Sequence, residues 1–248
     1  MTIRRMYILE ALTRRQLDAL VTRLEPPSPG RGRPWSCSLR RRVLIACAAL
    51  RTNLTFRELA AVFQISHSCV HRIVASLVPR LAALVMNHRH DRRWSWIVDG
   101  TLIPTRDHAT AAKSKNYRWS CNAQVLVRRR DLGVIATSAG GPGNRNDVVH
   151  YRGSIIEALS IEHGRTLADG GYCGVSELVT PVFAHNRIVR DQRWRRHRHR
   201  RARVEHALAR LKDWRVLRDH RRRGHALEDT MKAVATLHNL RIELRDNS

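Results

Sequence analysis

Residues 94–101 read Trp94-Ser95-Trp96-Ile97-Val98-Asp99-Gly100-Thr101, and at this point the chain changes character. A short aromatic and β-branched run that stops at an acid and a glycine predicts a buried strand ending in a carboxylate. The strand period continues beyond it. Residues 117–127 alternate, and 132–139 supply a partner strand after the Arg130-Asp131 turn, ended by Gly140-Gly141-Pro142-Gly143. A helix is predicted from Asp147, as its cap, to about Leu159. Thr166-Leu167-Ala168-Asp169 then forms a further short strand, broken by Gly170-Gly171. Helices around Arg200–Val216 and Leu227–Leu244 close the chain. Strands, a helix, a strand and helices in that order predict an α/β fold with a mixed sheet flanked by helices.

Upstream of residue 94 the period is helical. Leu9, Leu12, Leu17, Leu20, Val21 and Leu24 suit one helix, stopped by Pro26-Pro27-Ser28-Pro29-Gly30. Residues 31–38 read as a loop and 43–50 as a well-buried helix. Residues 52–74 then read as two short helices around a tight turn. Thr55 and Glu58 have the spacing of a capping box, and Ser66 is placed to cap the second helix. Phe56, Leu59, Ala60 and Phe63 face Ile65, Val70, Ile73 and Val74. Such a pair turns Ser66, His67, Ser68, His71 and Arg72 outward, where they suit a DNA major groove. A purely structural helical hairpin is the alternative. The expected organisation is a helical DNA-binding region over 1–90, with the helix-turn-helix at about 39–80, and a catalytic domain over 91–248.

Charge supports the DNA reading. Lys and Arg number 46 against 21 Asp and Glu, a net of +25. Self-repulsion on that scale is relieved by a polyanion, and nucleic acid is the first candidate. Residues 187–223 alone carry a net of +12, interleaved with Trp194, Val204, Leu208, Leu211, Trp214, Val216 and Leu217. Those apolar residues need burial, so the charge rides on ordered structure. Trp194, beside the arginines, is the expected DNA contact, whereas Trp94, Trp96 and Trp119 suit strand packing. Residues 104–116, with Lys113 and Lys115, follow the substrate or form a solvated loop. No apolar stretch approaches membrane-span length, and the first residues lack the pattern of a secretory signal, so a cytoplasmic protein is expected. The five cysteines, at 37, 47, 69, 121 and 173, show no CxxC spacing and are expected to be reduced.

The candidate chemistry lies in three acids. Asp99 and Asp169 each end a strand and precede a glycine, which suits either the carboxyl edge of a sheet or a plain turn. Glu205 lies four residues after Arg201 and seven before Lys212, a spacing that shares one helical face. An exposed ion pair there is worth roughly 0–1 kcal/mol, so the lone acid is better explained as a metal ligand. Three converging carboxylates suit two Mg²⁺ (or Mn²⁺) ions, which activate the attacking hydroxyl and stabilise the leaving oxygen.

Asp99-Gly100-Thr101, Leu167-Ala168-Asp169-Gly170-Gly171-Tyr172 and Arg201-x-x-x-Glu205-x6-Lys212 together resemble the DDE transposases of bacterial insertion sequences. The closest resemblance is to the DDE superfamily endonuclease group with an N-terminal helix-turn-helix, over almost the whole chain. The resemblance implies an RNase H-like catalytic domain in which Asp99, Asp169 and Glu205 are catalytic metal ligands. It makes Arg201 and Lys212 partners of the third acid and DNA contacts. Arg198 stands where the group often has Tyr, three residues before that arginine. Pro142-Gly143-Asn144-Arg145-Asn146-Asp147 resembles the group's Pro-Gly-x-x-x-Asp run. There Asp147 is either an auxiliary acid or a helix cap, the cap being the favoured reading. The implied partners are double-stranded DNA (inverted-repeat ends and target) and further copies of the chain once DNA is bound, with no membrane. The implied reaction is cleavage and strand transfer. A non-catalytic DNA-binding regulator and a nuclease without strand transfer are the rival readings.

Overall fold

In the computed structural model, residues 11–24, 34–84, 93–114, 118–138, 140–185, 187–224 and 226–244 are described. The start of the first predicted helix, the Pro26–Gly30 breaker, Lys115, Tyr117 and Ala139 lie outside them. Two compact units form. One comprises Met1–Val85, Asp213–Val216 and Asp229–Ser248, the other Met86–Lys212 and Leu217–Glu228.

The first unit holds four N-terminal helices: α1 (Arg14–Leu24), α2 (Leu39–Thr52), α3 (Phe56–Phe63) and α4 (His67–Ala83). Each start follows local chemistry. Ser38 Oγ accepts from Arg41 N, and the Thr55/Glu58 box closes in both directions, Thr55 N donating to Glu58 at 2.7 Å and Glu58 N to Thr55 Oγ1 at 3.2 Å. Ser66 Oγ accepts from Cys69 N at 3.2 Å. Between α3 and α4 the chain bends by 106°, with Gln64 in the left-handed region at the corner. That angle falls in the helix-turn-helix range. Leu59 of α3 and Val70, Ile73, Val74 and Leu77 of α4 are all buried. Ser66, His67, Ser68, His71 and Arg72 are all exposed. Since the box satisfies two otherwise orphaned amides, Thr55→Ala is expected to cost about 1 kcal/mol. A thermal melt that is unchanged in this variant would count against the box.

The second unit is built on a seven-stranded mixed sheet. Its strands are β1 (Trp96–Pro104), β2 (Ala112–Lys113), β3 (Trp119–Arg128), β4 (Val134–Thr137), β5 (Gly141–Pro142), β6 (Thr166–Leu167) and β7 (Leu178–Val179). β1 pairs antiparallel with β3 along its whole length and parallel with β6, which is itself parallel to β7. β2, β4 and β5 add to β3. A two-stranded hairpin, β8 (Phe183–Ala184) with β9 (Arg187–Ile188), follows. On one face Trp96 and Val98 of β1 and Leu126 of β3 pack with Tyr151, Ile156 and Tyr172.

The helices depart from the expected spans in two places. The segment after Asp147 forms α5 (Asp147–Tyr151) and α6 (Ile155–His163), because Gly153 at φ +71° interrupts the turn. The basic segment forms α7 (Gln192–Arg201) and α8 (Arg203–Lys212), a short 3₁₀ turn (Arg215–Leu217) follows, and α9 (Ala226–Glu243) ends the fold. None of α7 is buried, whereas α8 buries Val204, Ala207 and Leu211. All five cysteines are free thiols. Among the described residues no single helix is long and apolar enough to cross a membrane.

Candidate active site and nucleic-acid interface

The parallel register of β1 and β6 decides where the first two acids stand. Ile97 pairs with Leu167, and each acid lies two residues further along its chain. Asp99 and Asp169 therefore emerge at the same end of neighbouring strands, close enough for the charge of Asp169 to act on Asp99. Asp99 is largely buried, its side chain 14% exposed. Burial pushes its pKa up from 3.8 to about 6; Arg201 opposes the rise, and Asp169 and Asp147 add to it. Gly100 N donates to Asp99 Oδ1 at 3.1 Å. Asp169 caps the 3₁₀ turn Gly170–Tyr172, accepting from Gly171 N at 2.8 Å.

Arg201 links the third acid to the first. Its guanidinium donates to Asp99 Oδ2 at 3.2 Å and to Glu205 Oε1 at 3.5 Å. The expected single helix breaks at Ala202, so Arg201 ends α7 and Glu205 lies in the first turn of α8. The i,i+4 pairing survives the break. Glu205 is 66% exposed and reaches Asp99 through the arginine. Lys212, at the other end of α8, lines a cavity with Arg118 and Arg218 rather than standing among these acids.

Asp147 does not cap its helix. Asn146 holds the cap position, without a side-chain bond, and Asp147 is the first helical residue. Its carboxylate instead turns to the sheet, where Asn122 Nδ2 donates to Oδ1 at 2.6 Å. Gln124 Nε2 donates to the Asp147 main-chain oxygen. A Cβ on Gly100 would lie 2.2 Å from Asp147 Oδ1, so β1 carries glycine where this acid docks. Tyr172 is fully buried, edge-on to Tyr151, and its hydroxyl pKa is raised by burial first and then by Asp147, Asp99 and Asp169.

Sequence reasoning missed Asn122 and Gln124. The available signal was polar residues recurring at every second position, Ser120, Asn122 and Gln124, along a strand whose interior is otherwise apolar. Arg118 and Arg218 had no comparable signal. Arg198 of α7 and Arg190, just before it, stand over the Trp194 ring at 5.4 and 5.8 Å, which keeps that indole among cations. Trp96 belongs to the core. Trp119 stacks on His108, and Trp94 lies beneath Arg129 and Arg130.

The donor chemistry bears on a divalent ion. Carboxylate oxygens are the hard ligands Mg²⁺ and Mn²⁺ take. A buried Asp99 whose charge is opposed by two neighbouring carboxylates is a position that a dication relieves. Asp99 and Asp169 fit on those grounds. Arg201 stands between Asp99 and Glu205, and among the described residues no three acids, histidines or cysteines are spaced to share an ion.

A buried parallel pair of strands carrying adjacent acids, a basic helix and a separate 106° helix-turn-helix define a DNA-acting transposase of the DDE family. The chain belongs to that family. The Transposase DDE domain family matches residues 92–240, and the helix-turn-helix of the DDE superfamily endonucleases matches residues 36–86. The catalytic unit is accordingly RNase H-like. The chain is 40% identical, over 92% of its own length and 91% of the relative's, to a Streptomyces albus G protein named "Putative transposase for insertion sequence element IS112".

Proposed function

We propose that the protein binds the ends of its own insertion sequence through α4, with Ser66, His67, Ser68, His71 and Arg72 at the groove. It then cleaves DNA and joins the freed 3′-hydroxyl to target DNA in divalent-metal-dependent phosphoryl transfer. The observation that carries this reading is the emergence of Asp99 and Asp169 at the same end of neighbouring strands, with Arg201 tying Asp99 to Glu205. Asp99 and Asp169 would hold Mg²⁺ (or Mn²⁺), with Glu205 as the third ligand of a two-ion site. Ions held there would supply activation of the attacking oxygen and charge neutralisation at the leaving one.

The chain's own residues supply the rest. Arg201 donates to both Asp99 and Glu205 and opposes the burial-driven rise of the Asp99 pKa. The exposed arginines of α7, Arg198 among them, and Trp194 lie along the phosphates, where they position the strand without reading its sequence. Lys212 contacts DNA at the far end of α8. Two or more copies act on paired ends.

The purified protein, incubated with Mg²⁺ and an end-containing duplex, is expected to nick the duplex and to form joined product with a target plasmid. Glu205→Gln is expected to lose both products while binding the duplex with wild-type affinity. Hydrolysis without joined product supports a nuclease instead, and binding with no metal-dependent chemistry supports a regulator.

A further inference from the structure

A cavity of about 530 Å³ opens in the catalytic unit, and none of the three acids lines it. Leu102 of β1 and Ser120 of β3 contribute to its wall. Three cations converge there: Arg118 just before β3, Lys212 at the end of α8, and Arg218 just past the 3₁₀ turn. Among the described residues no carboxylate lines it. Half-burial of Lys212 holds its ammonium pKa below the ordinary value, and the charge of Arg218 lowers it further. Arg218 is held beside it, its Nε donating to the Lys212 main-chain oxygen at 2.5 Å. Ser120 is 1% exposed and its hydroxyl has no hydrogen-bond partner. Arg118 and Arg218 are exposed, but half-burial of Lys212 beside the charge of Arg218 costs free energy that an anion would recover. The volume lies within the range of small-ligand pockets and accommodates a phosphate with its sugar.

We propose that this cavity binds a phosphate group of the DNA on which the protein acts, held by Arg118, Lys212 and Arg218. The inference rests on the transposase reading for its ligand, and it gives Lys212 two guanidinium partners, Arg118 far from it in sequence and Arg218 six residues on. Guanidiniums match phosphate oxygens in pairs, whereas the ammonium adds a point charge.

The full-length protein is titrated with inorganic pyrophosphate by calorimetry and with end-containing duplex by fluorescence anisotropy. Wild type is expected to bind pyrophosphate, and Arg118→Gln and Arg218→Gln to weaken it about tenfold, with Arg118→Lys retaining most of the binding. For duplex, Arg118→Gln is expected to make the log–log salt dependence shallower by about 1. Should Arg218→Gln fail to fold, the exposed Arg118 decides the matter alone. Wild type that takes up no pyrophosphate overturns the site, as does Arg118→Gln binding it like wild type. A duplex with a 5′-phosphate is compared with its 5′-hydroxyl counterpart. Preference for the phosphorylated end identifies a strand-terminal phosphate, and equal affinity identifies a backbone diester. Cleavage is scored on the same preparations. Cutting without pyrophosphate binding sinks the site but not the transposase reading, and pyrophosphate binding without cutting does the reverse.

Discussion

Asp99→Asn is expected to abolish strand cleavage, on the order of 10³-fold or more, and in metal-free buffer to leave the protein more stable than wild type. Both effects come from the same burial. The folded carboxyl titrates near 6 instead of 3.8, a difference worth roughly 3 kcal/mol of penalty for carrying the charge. Because the folded pKa is the higher one, the folded state binds more protons between 3.8 and 6. The penalty is present in full above about pH 6 and disappears as pH falls below 3.8. Asparagine keeps the shape without the charge, and Arg201 retains Glu205 as a partner. The melting temperature of the variant should therefore exceed that of wild type by several degrees at pH 8, and the gap should close by pH 4. A gap independent of pH would mean that Asp99 is not strained by its charge.

Gly100→Ala is expected to be among the most damaging single-methyl changes in the catalytic unit. The new Cβ would stand 2.2 Å from Asp147 Oδ1 and 2.7 Å from its Cγ, well inside contact distance. The carboxylate cannot stay where Asn122 holds it, so the clamp between β3 and α5 opens. Overpacking of this kind costs roughly 1–3 kcal/mol, and the buried Asn122 amide loses its acceptor as well. Chemical denaturation should show that loss. The double variant Gly100→Ala/Asp147→Gly should recover much of it, because the clash is gone. Losses that simply add in the double variant would refute the proposed contact.

The parts legible in the sequence were those whose cause is local. The Thr55/Glu58 box and the Ser66 cap need only three residues of spacing, and both form. Ile97-Val98-Asp99 and Leu167-Ala168-Asp169 declare themselves by apolar runs that end in an acid, and one parallel pairing aligns them. What escaped depends on register or distance. Asn122 meets Asp147 across 25 residues because β3 lies beside β1, and Asp147 then serves the sheet instead of its own helix. The break at Ala202 leaves no mark in Arg200-Arg201-Ala202-Arg203-Val204, every residue of which tolerates a helix. Of the cavity's cations, Lys212 and Arg218 are six residues apart, but Arg118 meets them only after the sheet and α8 have formed.

That break at Ala202 divides labour along the basic segment. α8 is anchored by Val204, Ala207 and Leu211, whereas α7 is anchored by nothing buried of its own. Apart from Trp194 and from His197, whose ring bonds the Val179 main-chain oxygen, side chains of α7 upstream of Arg201 are exposed and can be exchanged, lengthened or neutralised with little effect on the scaffold under Glu205. If α7 lies along the DNA as proposed, residues 192–200 offer an engineer a nearly independent dial on that grip, with Asp99, Asp169 and Glu205 left as they stand.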